Sequence, residues 1–298
     1  MMFWIFNDEG EARLMKKTEA HCKVKIKDSE TGKDIQIEQK DCSEAHKTLG
    51  AMETPSGNYA SEVKRLIEKA RAIAQRISTA TVNRHEAHII YRSMYLPSIN
   101  YSLPTGTLSL KEIEKVQGAP IKALLSAMGF HSCTPREIVF GPQESGSLGL
   151  THLFAEQGSM KATILIQQIR TGRSLGKMMQ IQLRWAQRVA GISVPILEDT
   201  TTPLTQLREE KWLVTLREFL AASKLGIRIA DVRCPMMRRE NDCALMDATS
   251  RCGFSNEEIR RINRCRLFLR AECLSDISNA EGTYIQSSAY ECEKSAQF

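Results

Sequence analysis

The sequence predicts a helix-dominated α+β fold, in which a small antiparallel β-hairpin region precedes a helical domain and a helical extension. Apolar residues alternate with a period of two mainly within residues 1–57. After residue 58 they recur every three or four residues, which is typical of amphipathic helices. The 298 residues are enough for one large domain or two ordinary ones.

The first 57 residues are predicted to contain strands. Val24-Lys-Ile26 and Ile35-Gln-Ile37 alternate in polarity, and Glu30-Thr-Gly-Lys-Asp34 separates them, a pattern that favours a hairpin. Pro55-Ser-Gly57 predicts the turn that closes this section.

The next section is predicted to be helical, and its clearest helix covers 59–79. Asn58 is the predicted N-cap, because a short polar side chain can accept a hydrogen bond from the first free N–H groups. Further helices are predicted over 84–95, ending near Pro97, and over 109–128, with a break at Pro120. Residues 135–149 are predicted to form an ordered loop.

The second half is also predicted to be mainly helical. A helix over 157–190 is expected to be interrupted at Gly172 and Gly176. Helices over 212–225 and 257–273 flank a short strand-like segment, and Ser255 with Glu258 predicts a capping box for the latter helix. The predicted domains are 1–57, 58–190 and 206–298, with 191–205 as a linker.

Composition excludes several classes of protein. No run of eighteen apolar residues is present, and the short apolar start lacks the basic flank of a signal peptide, so an intracellular protein without a membrane partner is expected. None of the nine cysteines lies in a C-x-x-C pair, which argues against a disulfide framework or a zinc ribbon.

No motif predicts catalysis or a metal site. There is no G-x-S-x-G elbow, no P-loop and no adjacent Asp-Asp pair. His85 and His88 are three residues apart, whereas a zincin helix needs histidines four apart. We therefore assign no catalytic residue and no metal ligand.

Positive charge is concentrated in the middle of the chain. Residues 59–190 contain 17 Lys/Arg against 8 Asp/Glu, although the whole chain has a formal net charge of only +6. This distribution indicates a polyanionic partner, but a solvated charged face explains it equally well.

Two sets of cations are candidate nucleic-acid contacts. A row on the 59–79 helix would face away from the apolar stripe and could neutralise phosphates without reading bases. Its members are Lys64, Arg65, Lys69, Arg71 and Arg76. A secondary basic surface lies in a stretch without any acid, and its members are Lys161, Arg170, Arg173, Lys177, Arg184 and Arg188.

The order of short motifs resembles the late palm, primer grip, thumb and following region of a non-LTR-like retrotransposon reverse transcriptase. The N-terminal matches are Trp4 with Gly10, Ala45-His-Lys-Thr-Leu-Gly50 and Pro55-Ser-Gly57. The matches that follow in the family's order are Tyr101-Ser-Leu-Pro104, Leu108-Ser109, Pro120, Gly129-Phe130, Pro135-Arg136, Gly141-Pro142, Gly146-Ser-Leu-Gly-Leu150 and Glu156-Gln157-Gly158. The C-terminal matches are Trp212-Leu213, Leu216-Arg217, Phe219-Leu220, Arg261-Ile-Asn263, Cys265-Arg-Leu267, Leu274-Ser-Asp-Ile277 and Gly282.

The resemblance implies a role in holding nucleic acid. Residues 1–57 would be late-palm strands, with Thr48, Leu49 and Gly50 at the primer-grip edge, and 58–190 would be a thumb-like domain packed against an RNA–DNA or other duplex. The family's Tyr-x-Asp-Asp turn and its other metal-binding aspartate are expected before Met1, so Mg²⁺ would belong to that palm and this chain would hold no cofactor.

Three functions stay open on this basis. The first is a binding fragment of an RNA-directed DNA polymerase that is inactive alone, with the upstream fingers and palm as a further partner. The second is an active enzyme completed by that upstream part or by another chain. The third is a helical protein–protein interaction module without a nucleic-acid role.

Overall fold

The computed structural model describes residues 4–6, 12–14, 24–37, 41, 43–48, 50–207, 210–230 and 232–286. Within them the fold is helix-dominated α+β, which confirms the predicted class. The strands are β1 (Trp4–Phe6), β2 (Ala12–Leu14), β3 (Val24–Lys27), β4 (Asp34–Ile37), β5 (His46–Thr48) and β6 (Ala51–Glu53). The α-helices are α1 (Ala60–Thr79), α2 (Arg84–Ile90), α3 (Leu96–Asn100), α4 (Leu110–Ala127), α5 (Arg136–Phe140), α6 (Leu153–Thr171), α7 (Ser174–Ala190), α8 (Lys211–Ala222), α9 (Leu245–Arg251) and α10 (Asn256–Leu269).

The described strands form three separate antiparallel pairs, β1–β2, β3–β4 and β5–β6. The β3–β4 pair confirms the predicted hairpin, with Ile26 opposite Ile35 and Lys27 opposite Asp34. Gly32 closes its turn in the left-handed region, at a φ of 65°. Because each sheet has only two strands, sheet pairing contributes little to the fold and helix packing dominates it.

The chain forms two compact units, which divide it at places other than the predicted domain boundaries. Unit 1 comprises Met1–Ser102 with Leu110–Gly149, and unit 2 comprises Leu103–Ser109 with Leu150–Phe298. The predicted thumb-like range 58–190 is therefore shared between the two units. No helix in the described part of the chain is long and apolar enough to cross a membrane.

In unit 1, α1 packs along α4. The α1 stripe is buried as predicted, with Leu66 0% and Ile77 2% exposed. The N-cap is Tyr59 and not the predicted Asn58, although Asn58 Oδ1 accepts the Ala60 N–H at 3.0 Å. The helix α4 continues through Pro120 instead of breaking there, so that expectation was wrong. The flanking Ile121 and Leu124 are almost fully buried, and their packing outweighs the hydrogen bond that a proline cannot donate.

Two other boundaries in unit 1 differ from the sequence expectation. The second helix does not end near Pro97: after α2 a π-helical turn over Tyr91–Tyr95 leads directly into α3, which contains Pro97. A π turn leaves the backbone groups ahead of a proline without their usual partner, so the ring is tolerated there. The expected loop over 135–149 contains α5 and a 3₁₀ turn over Gln143–Ser145.

In unit 2, α6 and α7 form a helical hairpin around Gly172, which ends α6 with a φ of 63°. Gly176 does not interrupt the helix, contrary to the expectation; it lies inside α7 and is buried. A Cβ at Gly176 would stand 1.9 Å from the Gln168 carbonyl oxygen, so this glycine is required by the close approach of the two helices.

The segment 191–205, expected to be a linker, is part of the core of unit 2. Ile192 and Ile196 are 2% and 1% exposed. Gln187 donates to the carbonyl of Ile192 at 3.1 Å and accepts from the N–H of Ile196 at 2.8 Å. Arg217 of α8 donates to the Ile196 carbonyl at 2.7 Å. Side-chain hydrogen bonds from the preceding helix and from Arg217 therefore order a stretch whose composition alone is typical of a loop.

The C-terminal part of unit 2 contains α9, which was not predicted, and α10, which was. The Ser255–Glu258 capping box is confirmed: Ser255 Oγ accepts the Glu258 N–H at 3.3 Å, and Glu258 accepts the Ser255 N–H at 2.8 Å. The expected strand-like segment at 227–229 belongs to no strand.

Candidate nucleic-acid interface

The row of cations predicted on α1 is only partly available to a ligand. Arg65 is tied to Glu62, with Nε 2.7 Å from Oε2 and Nη2 2.5 Å from Oε1, and Glu62 is 0% exposed. Burial would raise the pKa of Glu62, but hydrogen bonds from Arg65, Ser102 and the Met52 N–H outweigh it and lower that pKa. Arg65 therefore neutralises a buried carboxylate instead of projecting toward a partner.

Lys69 is also used inside unit 1. Its Nζ donates to the Ser98 carbonyl at 2.8 Å, which joins α1 to the α3 region. Burial, together with the neighbouring Arg65, lowers the pKa of Lys69. Both Arg65 and Lys69 were assigned to a free row of cations, and that assignment was wrong.

The remaining α1 cations are exposed but do not form one row. Lys64, Arg71 and Arg76 are solvent-exposed and form no salt bridge with another described residue. At about 100° per residue, Lys64 and Arg71 share one side of the helix, whereas Arg76 lies about 120° around it. The exposed Glu68 is on the side of Lys64 and Arg71, which weakens the positive potential there.

The primer-grip assignment falls on the β5–β6 hairpin. Thr48 pairs with Ala51 and is exposed, and Gly50 adopts a φ of 94° at the turn, whereas Leu49 lies outside the described residues. A Cβ at Gly50 would be in ordinary contact, 3.6 Å from the Tyr101 ring, so the positive φ is the reason for glycine here. Its role in gripping a primer stays a prediction.

Lys161 does not belong to the secondary basic surface, which corrects the sequence assignment. It is 0% exposed, its Nζ donates to Thr215 Oγ1, and the ammonium lies 5.4 Å from the centre of the Trp212 ring. Burial lowers the pKa of Lys161 to about 7. The sequence does contain a signal for this position, since Gln157, Lys161 and Leu165 are spaced by four on the buried face of α6.

The other members of the secondary set are exposed, and four of them belong to one helix, three on one face of it and one at its N-cap. Arg170 is exposed in the last turn of α6. The four remaining cations, all exposed, are Arg173, Lys177, Arg184 and Arg188. We call these four the α7 basic face.

The α7 basic face is continuous and uncompensated. Within α7, Lys177, Arg184 and Arg188 lie within about 40° of one another around the helix. Arg173 is the N-cap residue that directly precedes the helix, so the four cover about 22 Å along the axis. None of the four forms a salt bridge with another described residue, and α7 contains no acid. Ile181 and Trp185, which are 65% and 53% exposed, border this face.

A cavity of about 560 Å³ lies at the C-terminal end of the same helix. Arg184 and Arg188 line it together with two arginines that the sequence analysis did not select, Arg233 and Arg266. Arg266 is 4% exposed, and burial lowers its pKa to about 10, so it stays protonated at neutral pH. Its spacing from Ile259, Ile262 and Asn263 on α10 is the signal that could have marked it as buried.

Unit 1 has a cavity of its own, of about 650 Å³, lined by His85 and His88 together with Arg84 and Arg92. Burial lowers the pKa of His88, and Arg92 and His85 lower it further. No group of three or more His, Cys, Asp or Glu residues with the geometry of a metal site occurs among the described residues.

Comparisons with known proteins identify no relative. No family model, no curated protein and no solved structure matches the chain. The resemblance to reverse transcriptases therefore stays a prediction from the order of motifs.

Proposed function

We propose that this chain binds the phosphate backbone of a nucleic-acid duplex through the α7 basic face. The observation that carries the proposal is a set of four exposed cations, three on one side of α7 and one at its N-cap, none of them paired with a described carboxylate. Duplex nucleic acid presents about one negative charge per 1.7 Å of axis, so a face about 22 Å long meets several phosphates at once.

Binding of this kind does not depend on base sequence. Lys and Arg side chains contact phosphate oxygens and release condensed counterions, whereas base edges are read only from within a groove. The motif order that resembles reverse transcriptases favours an RNA–DNA hybrid as the target, and a binding fragment of such a polymerase over a complete catalyst.

The proposal is tested by titrating the full chain with fluorescent RNA–DNA, DNA–DNA and RNA–RNA duplexes and following anisotropy over a range of salt concentrations. Four phosphate contacts predict a slope of log K against log salt of about −3 to −4, similar for different base sequences. A flat salt dependence, or no binding at about 50 mM salt, would contradict the proposal.

Two matched variants separate α7 from α1. The α7 variant changes Arg173, Lys177, Arg184 and Arg188 to Ala, and we expect a loss of about 100-fold or more in affinity at low salt. The control changes the exposed α1 cations Lys64, Arg71 and Arg76 to Ala, and we expect less than about a threefold loss. Losses in proportion to the four and three charges removed would mean that net charge alone governs binding.

One observation favours a second function, a helical protein-interaction module. The side of α7 next to the basic face exposes large apolar side chains, with Leu175 49% and Met178 65% exposed, in addition to Ile181 and Trp185. A contiguous apolar patch of this kind is typical of protein-binding helices. Stable association with a protein that survives the α7 charge variant, without nucleic-acid binding by the wild type, would support this alternative.

A further inference from the structure

The arginine-lined cavity at the C-terminal end of α7 has the composition of an anion-binding site. Its walls come from α7, from the segment 232–235, from α10 and from Glu272, which follows α10. Four guanidinium groups face one carboxylate, that of Glu272. Arg184, Arg188 and Arg233 are exposed and form no salt bridge with a described residue, so the cavity carries an excess of positive charge.

Arg266 is held in place within this cavity. Its Nη2 donates to the carbonyls of Arg188 and Val189 at 2.7 and 3.1 Å, and its Nε donates to Asn263 Oδ1 at 3.2 Å. Its Nη1 has no hydrogen-bond acceptor among the described residues. A guanidinium that is 4% exposed, with its orientation fixed and one nitrogen unused, is preorganised to donate to a ligand.

Gly191 makes this arrangement possible. It ends α7 with a φ of 65°, and a Cβ there would stand 2.6 Å from Arg266 Cζ. The absence of a side chain at this position therefore admits the guanidinium to the end of the helix.

The ligand chemistry follows from the cavity's size and lining. One planar guanidinium group can donate two parallel hydrogen bonds to two oxygens of a phosphate, a geometry that the ammonium group of lysine does not provide. About 560 Å³ exceeds what a phosphate alone would fill and falls in the range of small-ligand sites. Val232 and Pro235 supply apolar wall, and Glu272 supplies an acceptor for a hydroxyl or amino group. These features together fit a nucleotide.

We infer that this cavity binds a nucleoside monophosphate unit, with its phosphate among the arginines. The unit is either a free nucleotide or the phosphorylated 5′ end of a strand that continues along the α7 basic face, of which Arg184 and Arg188 are shared members. Only the second source rests on the proposed function.

The first arm of the test uses the full chain and adenosine 5′-monophosphate, adenosine and inorganic phosphate, with binding measured by calorimetry. We expect the monophosphate to bind at least about tenfold more tightly than either of the other two probes. Equal affinity for inorganic phosphate would overturn the nucleotide assignment, and no binding of the monophosphate would overturn the site. This arm does not involve nucleic acid, so its failure is distinct from failure of the proposed function.

The second arm compares an oligonucleotide duplex carrying a 5′-phosphate with the same duplex carrying a 5′-hydroxyl. Arg233 lines the cavity but lies outside the α7 basic face, so Arg233→Ala should remove monophosphate binding and any 5′-phosphate preference while the salt slope is retained. Arg173→Ala with Lys177→Ala should do the reverse. Monophosphate binding that is unchanged in Arg233→Ala would overturn the assignment. If monophosphate binds but both duplexes bind equally, the ligand is a free nucleotide and not a strand end.

Discussion

Helices α1 and α7 are both basic and amphipathic, but only one of them keeps its cations free. α1 is anchored by its own charged residues, because Glu62 is buried against Arg65 and Lys69 donates to a carbonyl of a neighbouring segment. Two of the five α1 cations, Arg65 and Lys69, therefore make contacts within unit 1 and are not free to bind a ligand. Of the three that remain, Lys64 and Arg71 share one side of the helix and Arg76 lies on another.

α7 is anchored by residues that lie off its basic face. Arg266 of α10 caps its last carbonyls, and the buried Gln187 binds the segment that follows the helix. The four cations of the α7 basic face are all exposed. The difference shows that the availability of a cation depends on where the nearest buried carboxylate lies, and α7 contains none.

The largest effect on stability should come from removing Arg266, the α10 residue that binds the last carbonyls of α7. Arg266→Met leaves the Arg188 and Val189 carbonyls and Asn263 without their donor in a buried place, so we expect the free energy of unfolding to fall by about 3–4 kcal/mol. Chemical denaturation measures this change. The exposed Arg264→Met on the same helix is the control and should cost less than about 0.5 kcal/mol. Equal costs for both would mean that the cap does not stabilise α7.

A somewhat smaller effect on stability is expected from changing Glu62, the buried carboxylate of α1 that is bound by Arg65. Glu62→Gln keeps the shape of the side chain but removes the charge that Arg65 and the Met52 N–H are arranged around, so the free energy of unfolding should fall by about 2–3 kcal/mol. The exposed Glu68→Gln is the matched control.

The same ion pair gives a pH dependence of definite sign. Because the pKa of Glu62 is lower in the folded chain than in the unfolded chain, its stabilisation is present above the unfolded value and is lost as the pH falls through the folded one. Glu62→Gln should flatten that part of the stability curve, and an unchanged acid limb would contradict this role. Duplex affinity should stay within about twofold, since Arg65 is not part of the proposed interface.

Lys161 is the opposite case to Arg266 and Glu62, because its replacement should stabilise the fold. The folded chain holds its proton only up to a pH of about 7, whereas an ordinary lysine holds it up to 10.5. The unfolded chain therefore binds more protons between those values, and stability should rise with pH across this window. Lys161→Met should remove that rise and add about 1–3 kcal/mol near pH 6.

Denaturation curves at several pH values test this expectation, with Lys177→Met as the exposed control of the same charge. Duplex affinity should fall in Lys177→Met and stay constant in Lys161→Met. A loss of affinity in Lys161→Met would mean that the buried ammonium contributes to binding after all.

Local signals predicted much of the secondary structure. The α1 stripe, the Ser255–Glu258 box of α10 and the hairpin over 24–37 all depend on residues within a few positions of one another. Two of the expectations that were wrong depend on contacts that the local pattern does not show. Pro120 is tolerated because α1 buries the surrounding residues, and 191–205 is ordered by Gln187 and Arg217.

The composition of the candidate site was predicted from the sequence, but the burial of its individual residues was not. The stretch from Lys161 to Ala190 contains Lys and Arg but no acid. Composition does not distinguish Lys161 from Arg184, but tertiary packing buries Lys161 and leaves Arg184 exposed. Arg233 and Arg266 lie far along the chain from α7, so nothing in the local sequence associates them with it. Spacing within each helix carried the missing information, since it separates buried from exposed positions once the apolar face is known.

The smallest expected effect tests whether the apolar border of α7 takes part in binding. Trp185 is 53% exposed and directly follows Arg184, so its ring lies at the margin of the proposed duplex interface and not within it. Trp185→Ala should therefore weaken duplex binding only about twofold, whereas single strands, whose bases can stack on an indole, should lose about fivefold or more. Anisotropy titrations with single-stranded and duplex forms of one sequence measure the ratio, and Met178→Ala, which removes another exposed apolar side chain of α7 but one without a ring, is the control. A loss that is the same for both forms would assign the ring to general packing. If neither form is affected but association with a protein is lost, the apolar side of α7 binds a protein partner. The basic face would then act only by raising the rate at which the chain meets that partner.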